Sequence, residues 1–193
     1  PVVVSLLFAV LLILGHGRLR YQRAVGAAGV LAALVADLVL FSTPLRGGPL
    51  VYRAGDWPAP YGILFVADRL NVLLVLVAGV VGAITFWFAV RSLDEARQRA
   101  FFYPLFHVQL AGVYGAFLTG DLFNLFVFYE VTLLASFVLL TLGGERFQLQ
   151  EGLKYVIINT LSSAFFLVGV AILYRTLGTV NMADLAVKVA SAP

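Results

Sequence analysis

Residues 122–142 read Leu122-Phe123-Asn124-Leu125-Phe126-Val127-Phe128-Tyr129-Glu130-Val131-Thr132-Leu133-Leu134-Ala135-Ser136-Phe137-Val138-Leu139-Leu140-Thr141-Leu142, a run with a single charged side chain. Wound as a helix at 1.5 Å per residue, such a stretch spans about 30 Å, the thickness of a bilayer's hydrocarbon core. Further apolar runs lie at about 1–15, 24–41, 65–90, 101–120 and 153–174, each bounded by Arg, Gly or Pro. Composition agrees: of 193 residues 62% are hydrophobic and 12% charged, where a soluble domain is nearer half and a quarter. Roughly 120 apolar side chains correspond to about six spans of ~20 residues. The expected fold is therefore all-α, a polytopic transmembrane helix bundle forming a single domain over 1–193. The first run is short for a span and lacks the small-residue cleavage pattern of a signal peptide, so it reads as a truncated first helix. A start at Pro1 without Met and an end in Ala190-Ser191-Ala192-Pro193 fit a piece of a longer polypeptide.

Loop charge sets the expected orientation. Connections after the first, third and fifth helices carry Arg18, Arg20, Arg23, Arg91, Arg97, Arg99 and Arg146, whereas those after the second and fourth carry Arg46 and Arg53. The positive-inside bias then places the odd connections in the cytoplasm and the N-terminus outside. The loop 42–61, with Pro44, Pro49, Pro58 and Pro60 among Tyr52, Trp57 and Tyr61, is expected to be external, non-helical and close to the headgroups. Asn181 suits the cap of a short interfacial helix over 181–190, with Met182, Leu185, Ala186 and Val189 on one face and Asp184 four residues before Lys188. Small residues four apart, Gly112 with Ala116 and Ala78 with Gly82, suit close helix packing.

The same composition excludes several functions. The absence of cysteine rules out thiol catalysis, disulfides, thiolate zinc and iron–sulfur clusters, and two histidines, His16 and His107, argue against a histidine-rich metal site. The net charge of +3 is spread thinly, without the basic block that would bind nucleic acid. No phosphate-cradling glycine loop or nucleophile elbow is present, so no cofactor or soluble-type enzyme chemistry is expected.

What remains is a set of polar side chains inside apolar helices. Glu130 lies near the centre of its span, where an acid costs about 2.5–3.5 kcal/mol on translocon scales and needs a partner, water or a proton. It reads as a proton carrier, or as a neutral hydrogen-bonded group joining helices. Lys154, near the cytoplasmic start of the sixth helix, is a candidate relay or an ordinary snorkelling lysine. It is expected at a depth of only ~5 Å against ~18 Å for Glu130, too far for a direct ion pair. Asn159, Ser162 and Ser163 share a face with Tyr155 and Phe166, and either line a hydrated pathway or bond helices together. His107, one to two turns inside the fourth helix, is a further candidate relay or a structural group. Asp37, Asp68 and Arg69 are expected towards the outer side, where headgroups and water lower the cost, with Asp68 and Arg69 as an interfacial pair or with separate partners. Asp121 should cap the fifth helix.

Over Gly115-Ala116-Phe117-Leu118-Thr119-Gly120-Asp121-Leu122-Phe123-Asn124-Leu125-Phe126-Val127-Phe128-Tyr129-Glu130-Val131 the chain resembles the D-type membrane protein of the Mrp multisubunit sodium/proton antiporters. The likeness continues through Gly152-Leu153-Lys154-Tyr155-Val156-Ile157-Ile158-Asn159, Leu161-Ser162-Ser163 and Gly178-Thr179-Val180-Asn181-Met182-Ala183-Asp184-Leu185-Ala186, and backwards to Ala59-Pro60-Tyr61-Gly62-Ile63 and Val66-Ala67-Asp68. It covers roughly 59–187. That component is similar to the proton-pumping subunits of respiratory complex I and membrane-bound hydrogenases, whose fifth-helix acid handles protons; by position this is Glu130. The family's partner lysine belongs to a seventh helix beyond residue 193, so Lys154 is not its counterpart. The resemblance implies the N-terminal portion of a secondary transporter subunit in a bacterial or archaeal cell membrane. It would move protons and sodium, with the bilayer and other antiporter subunits as partners. The alternatives are a proton-pumping subunit of an NADH dehydrogenase or hydrogenase, and a structural subunit that moves no ions.

Overall fold

The computed structural model describes residues 1–43, 47–59 and 61–191. Pro44, Arg46 and Pro60, used above, lie outside the described residues. Among the described residues, seven α-helices longer than one turn follow in order: α1 (Val2–Leu14), α2 (Leu19–Ser42), α3 (Arg69–Ser92), α4 (Tyr103–Leu118), α5 (Leu122–Leu140), α6 (Arg146–Leu177) and α7 (Met182–Ala190). α2, α3, α5 and α6 are long and apolar enough to span a membrane, as is α4 with its lead-in, Glu95–Leu118. With 13 residues, α1 reaches only about 20 Å. The protein is a multi-pass membrane protein with the helical architecture expected.

Local chemistry sets the boundaries. Asp68 accepts from the Asn71 backbone N–H at 2.7 Å and so caps α3 instead of pairing with Arg69. Asp121 caps α5 through Asn124 N–H at 2.8 Å, and Asn181 caps α7 through the N–H groups of Ala183 and Asp184, each satisfying orphan donors of a first turn. α4 is preceded by one turn (Glu95–Arg97) and a π-helical segment (Gln98–Phe102), in which Phe101 takes a left-handed φ of 64° and stacks on His16 with ring centroids 4.0 Å apart. Gln98 explains why the segment holds. Fully buried, it accepts from Arg23 Nε and Tyr103 Oη and donates to the carbonyls of Val90 and Leu93.

α4 is the innermost helix, burying Tyr103, Phe106, His107, Leu110, Ala111, Tyr114 and Leu118 against α1, α2, α3 and α5. Gly112 and Gly115 let α5 come close: a Cβ on either would collide with Thr132 or the Phe128 ring. The small-residue reading of Gly112 is thus a packing requirement.

The two ends of the bundle differ. At one, Arg99 reaches the Gly17 carbonyl at 3.1 Å and Arg97 pairs with Glu145 at 2.7 Å, gathering the Arg-rich connections. At the other, part of the 42–61 loop is a strand, an element its proline-rich sequence does not suggest. Leu50–Arg53 (β1) pairs antiparallel with Leu64–Ala67 (β2), in the register Leu50↔Ala67 and Arg53↔Leu64. Gly120 N–H donates to the Leu64 carbonyl, Leu122 N–H to Val180 and Met182 N–H to Gly120. The hairpin, the α4–α5 turn and the α6–α7 turn therefore form one hydrogen-bonded clasp.

Candidate functional site

Glu130 stands eight residues after Leu122 and ten before Leu140 on α5, about 12 and 15 Å from the helix ends. It is half-buried, and its Oε1 is enclosed with no hydrogen-bond partner among the described residues. Its neighbours one turn away explain the setting. Phe126 stacks on Phe166 of α6, whereas Val127 and Leu134 are exposed. Glu130 therefore sits at the seam where the side of α5 packed on α6 gives way to its uncovered side.

The α6 stripe divides by function. Tyr155 Oη hydrogen-bonds Ser136 Oγ of α5 at 2.8 Å, and Asn159 donates to the Tyr155 carbonyl while Tyr129 Oη approaches its Oδ1 at 3.5 Å. These groups join α5 to α6. Ser162 bonds its own helix and borders a cavity of about 360 Å³ with Ala116, Leu125, Tyr129 and Phe166. Ser163 is buried and bonded to the Thr160 carbonyl.

The two candidate relays find their polar partners elsewhere than at Glu130. Lys154 is exposed and pairs with Glu151 at 2.7 Å, one turn back on α6. His107 is fully buried, with Nε2 3.1 Å from the Gly26 carbonyl of α2 and its ring among Phe8, Phe86 and Phe106. Its position suits joining α4 to α2.

Asp37 departs from the expectation of a headgroup-side acid. It is fully buried and accepts from Tyr114 Oη of α4 at 2.7 Å. Its depth along α2 is as expected, but it projects inward between the helices instead of towards the headgroups, with no solvent-accessible surface. Gln98, Tyr114 and Gln109, whose Oε1 is enclosed and unpartnered among the described residues, are likewise missed from sequence. Of these, Gln98 carries a usable signal, a polar residue among the aromatics just before an apolar run.

The family model described as NADH:quinone oxidoreductase/Mrp antiporter, TM, matches residues 119–191, which hold Glu130, Lys154 and the α6 stripe. Over 98% of its length the chain is 44% identical to the D component of a sodium/proton antiporter of Alkalihalophilus pseudofirmus, of which it covers 38%. The chain is thus similar to these antiporter components over nearly all of its own length. In structure it is similar to a chain of the Mrp complex from Dietzia, with a TM-score of 0.87, 32% identity and 98% of this chain and 38% of that one covered. A chain of an archaeal membrane-bound sulfane sulfur reductase superposes with a TM-score of 0.85 at 29% identity, covering 97% and 38%. The chain spans about two fifths of the length of the relatives it matches.

Proposed function

We propose that this chain is the part of a multisubunit monovalent cation/proton antiporter subunit that carries its proton-handling carboxyl, Glu130, with sodium as the exchanged cation. The observation that supports this reading most is the enclosed, unpartnered Oε1 at mid-span. A charged carboxylate so placed is uncompensated, whereas a carboxyl that gains and loses a proton has reason to be there. Glu130 borders the uncovered side of α5, so a partner group from the remainder of the subunit could reach it without disturbing the described helices. Ser162, at the edge of the cavity between α5 and α6, and Asn159, which Tyr129 approaches, are read as the polar groups of the pathway on α6. His107 and Lys154 are read as structural and surface groups, because their hydrogen bonds go elsewhere. No cofactor is needed for this chemistry, and the finished device is a secondary transporter with other subunits as partners.

The likeness to a respiratory sulfur reductase supports a second reading, proton pumping within a redox complex. Co-purifying flavin or iron–sulfur subunits would select it. The test of the principal reading is sodium-driven proton movement in everted vesicles holding the intact complex with Glu130→Gln. The expected result is a loss of about a hundredfold, the lower range for removing a positioned proton-transfer group. Undiminished exchange in a correctly assembled complex would make Glu130 a group that only joins helices.

A further inference from the structure

A second acid lies inside the bundle with no part in the proposed site. Asp37 belongs to the apolar run Val35-Ala36-Asp37-Leu38-Val39, five residues before the end of α2 at Ser42, or about 8 Å from that end. Val35, Leu38 and Val39 are exposed, so the helix turns Asp37 to the opposite side, where it has no solvent-accessible surface. The seat is made by two other helices. Tyr114 of α4, equally buried, donates to Oδ2 at 2.7 Å. Gly79 of α3 leaves the space the carboxyl fills: a Cβ there would collide with Oδ2 and lie 2.9 Å from the Tyr114 hydroxyl. The surrounding layer is apolar, with Ala33, Val72, Val75, Leu110 and Leu118 buried in it.

Oδ1 is enclosed and has no hydrogen-bond partner among the described residues. The titratable neighbours are few. Among the described residues α4 contributes Tyr114, and α3 presents Gly79, which carries no charge. An ionised carboxylate with one donor in apolar surroundings is costly. An amide of the same shape would join α2 to α4 without that cost, so what the acid adds is the ability to bind a proton. A hard metal ion needs a shell of oxygen ligands, whereas Asp37 has one free oxygen and a hydroxyl that already donates to the other.

We propose that Asp37 and Tyr114 form a second proton-binding site, separate from Glu130, on the hairpin side of the bundle. The proton forms an O–H bond at Oδ1, and Tyr114 holds Oδ2. On release the O–H bond at Oδ1 breaks and the proton passes to a water molecule admitted transiently between the helices, while the carboxylate keeps the Tyr114 bond.

The test is infrared difference spectroscopy between acid and alkaline buffer on the intact complex containing the full-length subunit. A carboxylic C=O band should be present in the native protein, vanish in Asp37→Asn and shift in Tyr114→Phe. The pH profile of exchange should be displaced in Asp37→Asn and restored in Asp37→Glu. A spectrum unchanged by Asp37→Asn, or a native pH profile in that variant, would overturn the proposal and leave Asp37 as glue. A band removed by sodium at fixed pH would overturn it in favour of a metal-ion site. If Asp37→Asn does not assemble, Tyr114→Phe decides, and an unshifted band there overturns the proposal.

Discussion

Asp37 of α2 and Glu130 of α5 are both acids turned into the apolar bundle, and their surroundings differ in who completes them. Asp37 is enclosed by α2, α3 and α4, with Tyr114 donating to it and Gly79 making room. Glu130 is enclosed on the α6 side and open to the uncovered side of α5, and no described group bonds its Oε1. Asp37 takes its hydroxyl donor and its seat from its own fold, so its proton exchange calls on no group from outside the described helices. A carboxyl left open at a seam depends on something else to stabilise its charge, and that dependence is what a transport step can use. The family match runs over the seam, residues 119–191, and stops short of both Asp37 and Tyr114.

The comparison breaks most easily at the closed acid. Gly79→Val drives a side chain into Asp37 Oδ2 and should destabilise the bundle by about 1–3 kcal/mol, the usual cost of overpacking. Val127→Ala, beside Glu130 on the open side, should stay within about 0.5 kcal/mol, as surface substitutions do. Thermal unfolding of the detergent-solubilised complex would show the contrast, and equal losses would mean the two acids are equally enclosed. A smaller effect tests the clasp at the hairpin end. Asn181→Ala removes the α7 cap and should cost about 1 kcal/mol, read as faster amide exchange at Leu185 with α4 unaffected.

Lys154→Gln is predicted to change stability by less than about 1 kcal/mol, because its bond to Glu151 is an exposed one-turn ion pair. Exchange activity in the same variant should match the native rate. A strong loss would show that Lys154 does serve Glu130 through water. The smallest effect is pH-dependent. Hydrogen bonds from Lys188 and then Thr179 hold the Asp184 carboxyl below the usual aspartate range. A lowered folded value stabilises α7 above the ordinary aspartate value of about 4, and that stabilisation is lost as pH falls through the lowered one. Amide protection at Leu185 should weaken below about pH 4, and protection that strengthens there would contradict the assignment.

Much of this architecture is legible in the residues, for a physical reason. A bilayer demands long uncharged runs, so the helices announce themselves, and Asp121 and Asn181 stand where caps must. Depth along a helix is equally readable, which is why Glu130 at mid-span and Lys154 near an end are both placed by counting residues. Direction around the helix is not. Counting puts Asp37 at the right height yet leaves it facing headgroups, because its partner Tyr114 lies 77 residues away and only packing brings them together. The hairpin escapes for a related reason: Leu50–Arg53 has no strong alternation of its own and is held by backbone bonds to β2. Gln98 shows the same limit, since its bonds reach three separate elements.

The most direct test of the central claim is carboxyl modification of the intact complex by a membrane-soluble carbodiimide, with the adduct located by mass spectrometry of the peptides. Carbodiimides react with protonated carboxyls they can reach. The account predicts an adduct on Glu130 that accumulates in step with loss of exchange, while enclosed Asp37 stays unmodified. Loss of exchange with no adduct on Glu130, or full exchange with Glu130 fully modified, would contradict it.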